Sequence, residues 1–198
     1  MATILSGERI AKRILNTLKK RVKGKRFALA VVQVGDNEVS LKYISEKEKA
    51  AKSLGIGFYL ALYPVTVSQS RLLGEIKRLG EDKKVSGIIV QLPLPNHLDT
   101  QPILDAIPRK KDVDVLSSSS FAEFVFGIFP VLPPTVAAIS LLLKKTKKKL
   151  EGTQVAVVGA GRLVGLPISL WLTQQGAIVS LIQKGTRNAS QLIRKADI

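Results

Sequence analysis

Cysteine is absent from the 198-residue chain, which excludes disulfides, thiolate catalysis and cysteine-ligated zinc, and leaves no argument for an oxidising compartment. Histidine occurs once, as His97 in a proline-rich turn, so a multi-histidine metal site is excluded as well. Aromatic residues are only 5% of the chain, too few to suggest a stacking platform for single-stranded nucleic acid. Acidic residues are scarce too: 15 Asp plus Glu stand against 31 Lys plus Arg, a formal charge of +16. No apolar run reaches the length of a membrane span, and "MATILSGERIAKRIL" lacks the unbroken apolar core and cleavage site of a secretory leader. A cytoplasmic protein with no membrane partner is expected.

The excess of positive charge favours anionic partners. The basic residues are spread over several segments, so an acidic small molecule such as a nucleotide or a glutamate-tailed cofactor is expected in preference to nucleic acid. A basic nucleic-acid-binding module stands as an alternative. The densest run, "KKTKKK" at 144–149, ends a predicted helix, where cations meet the negative pole of the macrodipole.

With 45% hydrophobic residues the chain can build packed cores, and strand patterns alternate with amphipathic helices, the mark of parallel strands joined by helical crossovers. A helix near 6–22 precedes the strand "RFALAVVQVG"; a helix through Leu54 precedes "IGFYLALY"; a helix near 69–80 precedes "GIIVQLPLP", which stops at its prolines. A short helix is expected at 101–107. "RKKDVDVLSSSSFAEF" reads as a loop whose serine run marks a boundary or a mobile lid. A helix from Pro133 to about Leu150 leads to the strand "QVAVVG", a helix over 164–175, the strand "AIVSLIQ" and a last helix from about Asn188. "KADI" reads as the entry to a further strand, so the second sheet is expected to be incomplete, with an edge that is mobile or pairs with another chain.

Lys47 interrupts an otherwise apolar helical stripe of Tyr43, Ile44, Ala50, Ala51 and Leu54. A lysine there, one turn after a tyrosine, either snorkels to water or is placed for proton transfer. By themselves Tyr43 reads as core, Gln91 as a strand-end residue satisfying backbone groups, and Asp112 and Asp114 as turn caps.

"VVGAGRLVGLP" sets Gly159, Gly161 and Gly165 between a strand and a helix, where glycine lets backbone approach a pyrophosphate. The spacing, G-x-G-x-x-x-G, is one residue longer than the common dinucleotide fingerprint. After the next strand, "QKGTRN" offers Lys184 and Arg187 in place of a carboxylate, which suits the 2′-phosphate of NADP.

Taken in order, "VGDNEVSLKYISEKEKAAKSLGI", "GIIVQLPLPNHL", "KKDVDV" and "VVGAGRLVGLP" resemble the bifunctional methylenetetrahydrofolate dehydrogenase/cyclohydrolase family. The resemblance implies an α/β protein: an N-terminal three-layer catalytic domain with parallel strands over 1–128, then a truncated Rossmann-like NAD(P)-binding domain over 129–198. It implies NADP-dependent oxidation of 5,10-methylene-tetrahydrofolate and hydrolysis of the methenyl product to 10-formyl-tetrahydrofolate, in one-carbon metabolism and purine biosynthesis, by a homodimer. Carried over by position, Lys47 is the catalytic lysine, Tyr43 orients the folate, Gln91 hydrogen-bonds Lys47, and Asp114 binds the pterin. Ser40, Leu92 and Pro93 complete the substrate site; Gly159, Gly161, Arg162, Val164, Gly165, Lys184 and Thr186 form the NADP site. The chain departs from the family's glycine, aromatic and histidine after D-V-D, which are Val115, Leu116 and Ser117 here. A non-catalytic relative that binds folate or a partner is a further alternative.

Overall fold

The computed structural model describes residues 4–198. It divides into two compact units, one of Ser6–Ala122 and one of Glu123–Ile198 with Ile4 and Leu5, the division falling inside a helix.

The first unit opens with α1 (Gly7–Val22), capped by Ser6, whose hydroxyl accepts from Arg9 N at 3.4 Å. β1 (Ala28–Val34) follows, then α2 (Glu38–Leu54), β2 (Gly57–Tyr63), α3 (Gln69–Glu81), β3 (Gly87–Val90) and α4 (Thr100–Asp105). The strands form a parallel sheet ordered β2-β1-β3. β1 is central and continuously apolar but for Gln33, as a parallel strand covered on both faces must be. Ala30, Val32 and Val34 face a core completed by Leu72, Ile76 and Leu79 of α3; Val31 faces the other way, onto Ile44 of α2 and Ile89 of β3. The three α3 residues recur at i, i+4 and i+7, and burying each contributes about 1.5–3 kcal/mol.

The serine run is not a loop. After a 3-10 turn at Arg109–Lys111, α5 (Ser118–Val125) begins inside it. The buried Asp112 carboxylate accepts from Ser117 N at 2.9 Å and Ser117 Oγ at 2.6 Å, while Asp105 accepts from Ser118 N at 2.6 Å. Ser117 and Ser120 are themselves buried, 2.9 Å apart through their hydroxyls. Helix-end donors satisfied by two aspartates make this segment a capped corner, contrary to the mobile lid expected from its polarity.

The second unit contains α6 (Pro134–Thr146), β4 (Gln154–Val158), α7 (Gly165–Gln174), β5 (Ile178–Ile182) and α8 (Ala189–Lys195). α6 ends four residues before the expected Leu150 because Lys147 turns left-handed, φ 58, within the lysine run. β4 and β5 pair in parallel. On the other side of β4, Ala156 N donates to Ile198 O and Asp197 N to Gln154 O, both at 2.8 Å, so "KADI" does enter a strand position. No helix among the described residues is long and apolar enough to cross a membrane.

Candidate active site

α2 is fixed at both ends, by Asn37, whose side chain accepts from Ser40 N at 3.0 Å, and by Gly55 at φ 71, whose N–H reaches the last turn. Its packed edge is Ser40, Ile44 and Ala51. Tyr43 is not core: it is 63% exposed, because the packed edge runs through Ile44, one residue and about 100° further round the helix. Tyr43 and Lys47, one turn apart, therefore sit together on the margin of the stripe, Lys47 half-buried.

That margin overlooks the carboxyl end of the sheet. Gln91 leaves β3 with its N–H bonded to Val32 O at 2.9 Å, and its side chain is fixed by donation to Leu92 O at 3.0 Å. With the amide nitrogen so occupied, Gln91 Oε1 accepts from Lys47 Nζ at 3.0 Å. A parallel bridge between Ile88 and Asp112 carries the following chain alongside β3, toward the same sheet end, and brings Asp114 there. Burial pushes the Asp114 carboxyl above the ordinary aspartate range; the Lys47 charge opposes this and the Asp112 charge adds to it. Ser40 is buried at the start of α2, Leu92 is half-buried and Pro93 exposed. Lys47 and Gln91 thus form a hydrogen-bonded amine–amide pair beside the Asp114 carboxylate, with exposed Tyr43 one turn away.

Two features of this site escape a sequence reading. Gln33 is buried one strand over, abreast of Gln91; its amide donates to Val34 O and Gly35 O, each at 3.0 Å, which leaves Oε1 without a protein donor. The available signal was a lone glutamine in an apolar strand. Val115, directly after Asp114, is fully buried at φ 58, a left-handed conformation rarely tolerated by a β-branched residue.

In the second unit, Gly159 leaves β4 at φ 99. A methyl on Gly165 would lie 1.7 Å from Gly159 O, whereas one on Gly161 would meet nothing within 4 Å. The turn is therefore closed by backbone contact at one glycine and open at another, beside the N-terminus of α7. Gly159, Gly161, Arg162, Val164 and Gly165 line a cavity of about 650 Å³ together with apolar residues of β4 and α7. Lys184 and Thr186 do not line it. Thr186 instead closes the turn after β5, its hydroxyl accepting from Gln183 N at 2.8 Å, and Lys184 is exposed.

Family comparison agrees with both units. The model described as tetrahydrofolate dehydrogenase/cyclohydrolase, catalytic domain, matches residues 5–114, and the one described as its NAD(P)-binding domain matches residues 133–198. The chain belongs to the tetrahydrofolate dehydrogenase/cyclohydrolase family. A relative in Listeria innocua, named bifunctional protein FolD, is 34% identical over 100% of this chain and 72% of its own length. Among solved structures, the Campylobacter jejuni FolD methylenetetrahydrofolate dehydrogenase/cyclohydrolase is 35% identical with a TM-score of 0.93, over 98% of this chain and 71% of the other. The Trypanosoma brucei family member, described in complex with NADP cofactor and an inhibitor, is 29% identical with a TM-score of 0.94, over 99% and 70%.

Proposed function

We propose that the protein oxidises 5,10-methylene-tetrahydrofolate with NADP and hydrolyses the resulting methenyl form to 10-formyl-tetrahydrofolate. The observation that carries this reading is the Lys47–Gln91 hydrogen bond of 3.0 Å at the open end of the sheet. Lys47 holds and transfers the proton as water adds to the methenyl carbon and the ring nitrogen becomes the leaving group. Gln91, itself held by Leu92 O, keeps Lys47 Nζ where its amine form takes a proton from the adding water and returns one to the departing ring nitrogen. Asp114 hydrogen-bonds the pterin, and exposed Tyr43 offers its ring to the folate as a stacking face, with Ser40, Leu92 and Pro93 bordering the substrate. In the oxidation, NADP supplies the hydride acceptor. Gly159, Gly161 and Gly165 let backbone approach its pyrophosphate, Arg162 and Val164 border it, and Lys184 and Thr186 with Arg187 take the 2′-phosphate.

The first domain, through about residue 128, carries the folate chemistry in this reading, and residues 129–198 carry the nucleotide. The protein acts in the cytoplasm as a homodimer. β2 supports self-association: it is an edge strand without a charged residue and exposes Leu60 and Leu62. The test is to follow both reactions on one purified preparation, methylene-tetrahydrofolate oxidation with NADP and with NAD, and methenyl-tetrahydrofolate hydrolysis. Both activities, with oxidation favouring NADP, are expected; folate binding with neither activity would leave a non-catalytic relative.

A further inference from the structure

α1 stands apart from the proposed chemistry and carries an unusual charge. Between Gly7 and Arg26 there are nine basic residues and one acidic one, Glu8. Arg9, Lys12, Arg13, Lys19 and Lys20 lie within about 120° of one another on one exposed face of the 16-residue helix, and Lys23, Lys25 and Arg26 extend it, also exposed. None of these is in an ion pair with a described carboxylate, whereas the α2 lysines Lys49 and Lys52 are paired with Glu46 and Glu48.

The opposite face of α1 is apolar, with Ile10, Leu15, Leu18 and Val22 half-buried where the helix packs on α2. That contact narrows the choice of partner. A helix that binds a membrane surface inserts its apolar face, and here that face is partly covered by α2 with Ile14 left exposed, so vesicle binding is one of the outcomes the test separates. A small anion needs a convergent pocket, but these cations form a ladder along the helix. Arg9 to Lys20 spans about 16 Å, the reach of several consecutive phosphates on one strand. With no aromatic residue on this face, base stacking is absent and contact is confined to the backbone.

We propose that the outward face of α1 is a docking surface for the phosphate backbone of nucleic acid, without sequence preference. If about four phosphates are contacted, the affinity for a duplex falls with a log–log salt slope of about −3.6, or about 150-fold between 50 and 200 mM salt.

The experiment is anisotropy titration of a labelled 20-base-pair RNA duplex with the full chain, over that salt range. The Lys12→Gln, Arg13→Gln, Lys19→Gln, Lys20→Gln variant is compared with a Lys144→Gln, Lys145→Gln, Lys147→Gln, Lys149→Gln variant of equal charge change. The proposal expects the α1 variant to lose at least tenfold in affinity and flatten the salt slope, the second variant to bind nearly as the parent, and both to keep parental circular dichroism. Should the fourfold α1 variant fail to fold, Arg9→Gln with Arg13→Gln must show about half the loss in log affinity. Equal losses in both variants would reduce the binding to net charge and overturn the assignment. Poly-glutamate competing as well as duplex, or binding to phosphatidylserine vesicles without binding to duplex, would overturn the nucleic-acid partner.

Discussion

Lys47 Nζ donates to Gln91 Oε1 at 3.0 Å across 44 residues of sequence, one group from a helix margin and the other from a strand end. If Gln91 acts by aiming Lys47, Gln91→Leu lowers kcat for methenyl hydrolysis roughly 10- to 100-fold, a part of what positioned proton transfer contributes. The Lys47→Met, Gln91→Leu double variant is then no slower than Lys47→Met alone. Additive losses in that cycle would show that the two side chains act independently.

The fold raises the Asp114 pKa above the ordinary aspartate range, with burial first among the causes. Because its folded-state pKa is raised, the native protein binds its proton more readily than the unfolded chain does. The stabilising contribution is complete below the ordinary aspartate value of about 3.9 and is lost as pH rises through the folded value. Asp114→Asn therefore raises Tm at pH 7 relative to the parent, with the difference closing toward pH 4, while folate affinity falls. A variant less stable than the parent at pH 7 would mean that ion pairing with Lys47 outweighs the burial cost.

Val115 offers a test of backbone strain beside that carboxylate. At an ordinary site glycine is worse than alanine by about 0.5–1 kcal/mol. At φ 58 the order inverts, because alanine keeps most of the left-handed penalty of about 1–2 kcal/mol while both variants lose the buried side chain. Chemical denaturation should find Val115→Gly more stable than Val115→Ala. The usual order would place Val115 outside the left-handed region.

The glycine turn separates folding from binding. A methyl on Gly165, 1.7 Å from Gly159 O, forces β4 and α7 apart, so Gly165→Ala loses cooperative unfolding of the second unit along with NADP binding. Gly161→Ala meets no protein atom within 4 Å and should leave Tm within about 1 °C, yet weaken NADP wherever the cofactor backbone passes that position. Unchanged NADP affinity in Gly161→Ala would move the pyrophosphate elsewhere.

The parts of this fold that are visible in the sequence are those where one element's own pattern decides its structure. α3 shows itself through Leu72, Ile76 and Leu79, and β1 through an apolar run that only a covered strand can hide. The serine run looks like a mobile loop in the sequence because its polarity is satisfied by Asp112 and Asp105, partners that local composition does not reveal. Tyr43 looks like core in the sequence because periodicity identifies an apolar stripe but not its rotation to within one residue. The meeting of Lys47, Gln91 and Asp114 depends on three segments converging at one sheet end, which only the known order of family motifs made legible. Lys184, read from its charge after β5, and Thr186, from the family resemblance, lie outside the cavity lined by the glycines, because the Thr186 hydroxyl closes the turn on itself, a local bond no strand pattern specifies.

The central claim is that Lys47 moves the proton in a folate site, and its most direct measurement is single-turnover hydrolysis of methenyl-tetrahydrofolate by the parent and by Lys47→Met. Circular dichroism and folate affinity are recorded on the same samples. A folded Lys47→Met protein is expected to bind folate within about tenfold of the parent and to hydrolyse the methenyl form at least about 100-fold more slowly, in line with the contribution of a general acid or base. Parental turnover by folded Lys47→Met would contradict it.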